Sequence, residues 1–215
     1  MSEAGSFDFN AFIKESKETL VNPKGYFSTM KSSGGMTEPL IKALIYGVVA
    51  GIIIFIWGAI GLGGAAGVLG AGIGAMALVW TVIAALIGLL IGAVVLLVVS
   101  SICKGNANFE ACLRVTAAVM VVMPVSAVLG FTTGINPVFG AIISLGVNLF
   151  ALYLVYHGLI ETLKADPGTT KIVMYVLIAL LVIFMIAQIG TSRKLNRFMN
   201  DIDQGNLKEM MKDQE

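Results

Sequence analysis

Ser101-Ile-Cys-Lys-Gly-Asn-Ala-Asn-Phe-Glu-Ala-Cys-Leu-Arg114 is the one charged interruption between two long apolar blocks, and it decides the fold class. Upstream, from Ala43 to Ile102, there is no Asp, Glu, Lys, Arg or His. Downstream, the next charges after Arg114 are His157, when protonated, and Glu161. A membrane-spanning helix needs about 20 consecutive apolar residues, and both blocks exceed that. Placing Lys104 or Arg114 near a bilayer centre would cost about 2.5–3.5 kcal/mol each, so this stretch lies at a membrane surface.

Composition agrees. The chain has 215 residues, 57% of them hydrophobic and 13% charged, with a mean hydropathy of +0.91. Soluble domains carry about 25% charged residues, so a polytopic membrane protein is expected. The formal net charge of +1 offers no basic footprint for nucleic acid. The start of the chain lacks the basic and apolar regions of a cleavable leader, so the first span is expected to do the targeting. Cys103 and Cys112 have no second Cys/His pair beside them, so no metal and no cofactor is expected. They read as reduced thiols near a membrane surface.

Working outward, residues 1–40 form a polar arm. Phe9, Phe12, Ile13 and Leu20 share one helical face, away from Lys14, Lys17 and Glu18, which is the pattern of an interfacial helix. Asn22-Pro23-Lys24-Gly25 ends it. Such an arm either packs on the membrane domain or binds a partner. The first span runs from about Ile41 to Ile60, with Pro39 at an early helical position and Lys42 able to snorkel to the surface. Gly47 and Gly51 form a small-residue step for helix packing, as do Gly88 and Gly92 in the second span, about Ala77 to Val99. Leu62 to Gly74 is glycine-dense, with Gly63, Gly67, Gly70 and Gly74 at helical spacing. Neither neighbour is the strand or amphipathic helix of a nucleotide loop, so the stretch is a surface loop or a short helix.

In the third span, about Ala111 to Gly130, Asn108 is placed to cap and Glu110 to meet the helix dipole, with Arg114 one turn on. Pro124 frees the carbonyl of Met120 and predicts a kink, with Ser126 or a neighbouring helix satisfying that oxygen. Asn136-Pro137 reads as cap and first residue of the fourth span, about Val138 to Leu159. That span carries the intramembrane polarity: Ser144, Asn148, Tyr153, Tyr156 and His157, with Glu161 following. Asn148, Tyr153, Tyr156, His157 and Glu161 are the candidate functional cluster. Asp166-Pro167-Gly168 reads as a turn, and the fifth span runs from Lys171 to about Ile189. The expected division is therefore an arm over 1–40, a five-helix membrane domain over 41–190 and a polar tail over 191–215.

Basic residues set the orientation. With five spans and the N-terminus inside, the arm, the second and fourth loops and their flanks hold nine of the 14 Lys and Arg, while the first and third loops hold none. Arg193, Lys194 and Arg197 of the tail are the exception.

The order of motifs carries a resemblance over about Leu20 to Phe184. It comprises Asn22-Pro-Lys-Gly-Tyr-Phe27, Glu38-Pro-Leu40, Lys104-Gly-Asn-Ala-Asn-Phe-Glu-Ala-Cys-Leu-Arg-Val115, Pro124, Asn136-Pro-Val-Phe-Gly140 and Tyr156-His-Gly-Leu159 before Lys164-Ala165. In these the chain resembles the Yip-one domain family, the Ypt/Rab-interacting-type integral membrane proteins, in its prokaryotic type. The resemblance implies an all-α fold of five membrane helices, a cytosolic N-terminus and no enzymatic activity. In eukaryotic members it implies vesicle trafficking through Rab-type GTPases. The arm here is short, so GTPase binding does not transfer. The expected partners are the lipid bilayer and other membrane proteins or a second copy, in a prokaryotic cytoplasmic membrane. The expected function is a non-enzymatic scaffold, with a small transporter or channel built on the fourth span as the alternative.

Overall fold

The computed structural model describes residues 8–62 and 71–186. The chain falls into two compact units, Met1–Tyr175 and Val176–Glu215. The polar tail and its basic residues lie outside the described residues, as do Gly63, Gly67 and Gly70. Every regular element among the described residues is helical, and five helices are long and apolar enough to cross a membrane.

The arm forms two short helices. α1 (Phe9–Val21) is capped by the Asp8 carboxylate, which accepts from the amides of Asn10 and Ala11. Asn22 then serves twice: its backbone N–H closes α1, and its side chain accepts from the Gly25 amide to open α2 (Pro23–Thr29), with Pro23 in the first turn. Gly25 therefore lies inside a helix and not in a turn after one.

The first span is α3 (Thr37–Ala59). The second is α4 (Ala71–Ile102), whose 32 residues start before the expected Ala77 and take the end of the glycine-rich stretch into helix. The third span is broken: α5 (Phe109–Val119) gives way to α6 (Val122–Leu129) and the short α7 (Phe131–Ile135). The break falls at Met120 and Val121, upstream of Pro124, where the missing amide removes a helical bond. Ser126 does not rescue the freed carbonyl of Met120. The Met123 amide does, at 2.9 Å, by tightening the chain into a turn.

The fourth span is α8 (Pro137–His157), which continues as one π-helical turn over Gly158–Thr162 and so passes the expected Leu159. Asn136 caps it, accepting from the amides of Val138 and Phe139. The fifth, α9 (Pro167–Ile186), starts four residues before Lys171. Asp166 is not the corner of a turn but the N-cap, its carboxylate accepting from the Thr169 amide and hydroxyl, both at 2.8 Å.

Within the first unit, α3 packs chiefly on α4, and α5 closes against both. Their meeting point is a core of Ala43, Leu89, Ala93, Leu113 and Ala117, in which α4 and α5 each contribute one leucine and one alanine. Glycine allows part of this approach. A Cβ at Gly47 would lie 2.8 Å from that of Ala85, and one at Gly51 would lie 3.3 Å from the Leu78 side chain. At Gly92 it would meet the Thr116 methyl at 2.8 Å, whereas Gly88 faces open space.

The loop of Cys103 to Asn108 pairs with the loop after the fourth span. The Asn106 amide donates to Leu163, and the Asp166 amide to Cys103. The second and fourth loops, which carry Lys104 and Lys164, thus share one face of the first unit. Cys103 and Cys112 are free and buried, so neither thiol is open to reagents from either side.

Candidate functional site

At the end of the first unit where spans one and three begin, five charged side chains meet around the arm. Lys42 lies one turn into α3, and its ammonium reaches Glu15 of α1 at 2.6 Å and Glu38 at 2.8 Å. Lys42 does not snorkel into water, because only 11% of its side chain is exposed. The arm lies over it and supplies the counter-charge.

Arg114 is the second cation, with 7% of its side chain exposed. Its guanidinium donates from Nη1 to Glu38 at 2.9 Å and from Nη2 to the Gly35 carbonyl at 3.0 Å. Its Nε lies 3.5 Å from Glu110 and makes no hydrogen bond. Glu110 instead accepts from the Gly35 amide at 2.6 Å. The loop before α3 can wrap the guanidinium this way because Gly34 and Gly35 take φ of +135° and +92°. A Cβ on Gly34 would also press to 2.9 Å from Arg114 Nη2.

Neutral contacts complete the clamp. The hydroxyls of Ser16 and Tyr46 share a hydrogen bond of 2.7 Å, and Phe12 rests on the Tyr46 ring with centroids 5.1 Å apart. Phe27 is fully buried, and its carbonyl accepts from the buried Thr162 hydroxyl of the π turn at 2.7 Å. Burial pushes the Tyr26 phenol above its usual pKa, so it stays protonated at neutral pH. The apolar face expected on α1 is split by this docking: Phe12 is buried, while Phe9 and Ile13 stay exposed. Beside the charges, between arm and spans, lies a cleft of about 290 Å³.

The fourth-span candidates do not form one site. Tyr153 and Tyr156 set their rings edge-on to His157, with centroids 4.6 and 5.4 Å away. His157 Nδ1 is buried without a hydrogen-bond partner. Glu161 sits in the π turn, half-buried. Asn148 stands apart: it is exposed, and its amide turns back to the Ser144 carbonyl of its own helix at 2.8 Å.

By sequence alone Glu110 and Arg114 read as a local pair and Lys42 as a lone surface cation. The joining of Glu15, Glu38, Lys42 and Arg114 is visible only in the structure. The available signal was that Glu38/Lys42 and Glu110/Arg114 are both i, i+4 pairs at the starts of spans, where an unpaired charge is costly.

A family model described as the Yip1 domain matches residues 17–189, starting within α1 and taking in all five spans. No curated protein and no solved structure matches the chain.

Proposed function

Because the chain belongs to the Yip1 domain family, we propose that it is a non-enzymatic membrane scaffold. Its arm is held at the cytoplasmic face, and it organises other membrane proteins or lipids through helix and headgroup contacts. The observation that carries this reading is the clamp. Glu15 and Glu38 on Lys42, with Glu38 and Gly35 on Arg114, tie the arm to spans one and three. The buried Lys42 and Arg114 each need their carboxylate partners in place, which holds arm and spans in one arrangement and suits a presenting surface. The arm supplies counter-charges from inside the chain and keeps Phe9 and Ile13 outward, where they can enter the headgroup layer.

The test is crosslinking in native membranes of the full chain and of Lys42→Met. The wild type is expected to capture partner proteins, and Lys42→Met, which frees Glu15, to lose most of that capture while still inserting. Recovery of uncrosslinked monomer alone would refute the scaffold.

One observation favours a transporter or channel instead: the unpartnered Nδ1 of His157 between two tyrosines. On that reading proteoliposomes pass an ion or small solute, and His157→Ala changes the flux. The scaffold reading expects none.

A further inference from the structure

Asn148 is exposed near the middle of the fourth span, twelfth of the 26 residues from Pro137 to Thr162. At the helical rise it lies about 16 Å along the axis from Pro137 and about 21 Å from Thr162, within the hydrocarbon layer of a bilayer that this span crosses. Its carboxamide is only half used. The Nδ2 group donates to the Ser144 carbonyl at 2.8 Å and lies 3.4 Å from the Ser144 hydroxyl, while Oδ1 accepts from nothing among the described residues. Acyl chains offer no donor, so a bare amide oxygen at this depth is costly and calls for a donor from protein.

The residues around Asn148 form a seam. Ala141, Asn148 and Val155 are spaced by sevens, with Ser144, Leu145 and Leu152 between them at helical steps of three and four, so all six share one side of α8. None of the six is buried, whereas Gly140 and Leu154, off this side, are buried within the chain. Ala141 and Ser144 are small enough for another helix to come close, and Leu145, Leu152 and Val155 supply contact area beside them. The exposed Phe139, Ile142 and Tyr153 lie off the seam, where lipid suits them.

The occupant follows from the amide and from topology. A second copy of the chain inserts with the same orientation, so two fourth spans pair in parallel and Asn148 meets Asn148 at one depth. A carboxamide carries both donor and acceptor, so under two-fold symmetry each Nδ2 donates to the other copy's Oδ1 and both bare oxygens are satisfied. An Asn at such a seam position also fixes the register of a parallel pair. A helix of another protein would need a polar group at the matching depth, and a second copy brings one by construction.

We propose that the fourth span is the interface of a parallel homodimer, with the Asn148 amides of the two copies bonded to each other. The dimer goes beyond the scaffold reading, since its seam uses no residue of the arm or the clamp and stands whether or not the arm recruits a protein.

Full-length copies carrying donor or acceptor dyes at the C-terminus are mixed in phosphatidylcholine vesicles, and energy transfer is followed as the protein is diluted with lipid. The wild type is expected to associate, and Asn148→Leu, an outward change of similar bulk, to raise the dissociation constant about tenfold. Asn148→Gln, which keeps the carboxamide, is expected to recover most of that loss. Lys42→Met is expected to stay within about twofold of wild type, so failure of the dimer and failure of the scaffold are read separately. Oxidation tests the geometry: Ala141→Cys is expected to give disulfide-linked dimers and Ile142→Cys, off the seam, few, with the buried Cys103 and Cys112 silent in the wild type. Unfolding in mixed micelles shows that each variant keeps its fold. A wild type that stays monomeric at the highest protein-to-lipid ratio, an Asn148→Leu dimer as tight as wild type, or equal crosslinking from Ala141→Cys and Ile142→Cys overturns the proposal. So does a disulfide between Ala141→Cys and Ile186→Cys within one chain, which assigns the seam to the fifth span.

Discussion

Half of the third span's most apolar window is buried inside the protein, whereas only 11% of the fourth span's is. The two helices have comparable mean hydropathy, 2.0 and 2.2, so apolarity does not explain the contrast. In lipid it should not, because the acyl chains are as apolar as leucine and helices gain nothing by leaving them. Close packing follows small residues and satisfied polar groups. The third span has Ala111, Cys112, Ala117 and Ala118 buried and Arg114 bonded to the arm side. In the fourth span Val138, Phe139, Ile142, Leu149 and Tyr153 are exposed, and its Asn148 bonds only to its own helix. Polarity shared between helices holds them together, while polarity kept within one helix leaves it free.

The sharpest way to break this contrast is Arg114→Leu. Removing one partner of a buried ion pair costs about 3–5 kcal/mol. Glu38 keeps 41% of its side chain exposed, so solvent screening lowers the expected loss to about 2 kcal/mol. Reversible unfolding in mixed micelles measures it, and a loss below about 0.5 kcal/mol would mean the guanidinium contributes little. Gly47→Leu follows. It forces bulk against Ala85 and the Val82 backbone, whose Cα would lie 3.3 Å from an added Cβ, and the expected cost is about 1.5 kcal/mol. The counterpart in the fourth span is Gly146→Leu, which meets nothing within 4 Å and should stay within about 0.5 kcal/mol of wild type. Equal losses at Gly47 and Gly146 would remove the distinction between the two regions.

The smallest effect sharpens the comparison at the loops. The amide and then the hydroxyl of Thr169 hold the Asp166 carboxylate below its usual pKa. A depressed folded-state value stabilises the cap above the unfolded pKa of about 4, and that stability is lost as pH falls through the lower folded value. Protection of the Thr169 amide in hydrogen exchange should therefore weaken in acid. The acid-induced weakening should be absent in Asp166→Asn.

Much of the architecture was legible because it is local. An uncharged run from Ala43 to Ile102 cannot be soluble loop, Asn108 and Asn136 announce helix starts, and Pro124 announces a break within a few residues of where it falls. The errors were local as well: Asp166-Pro167 suits a turn and a cap equally, since Pro is favoured in both, and only the Thr169 bonds decide between them. The candidate site was legible only in part. His157 with its tyrosines could be read from one helix. The clamp could not, because Glu38 and Arg114 are 76 residues apart and Lys42 and Glu15 are 27 apart.

Hydropathy and charge spacing by themselves determined that the protein has five apolar spans, where most of them begin, and which loops carry the basic residues. Each of those properties is a sum over neighbours in the chain. Only the tertiary structure decided that Gly47, Gly51 and Gly92 meet another helix while Gly88 does not, that Asn148 stays outside, and that Lys42 and Arg114 end in one network with the arm. Those outcomes depend on how each helix is rotated about its axis. In a bilayer that rotation is set by close fit and shared polar bonds, which a hydropathy pattern does not encode.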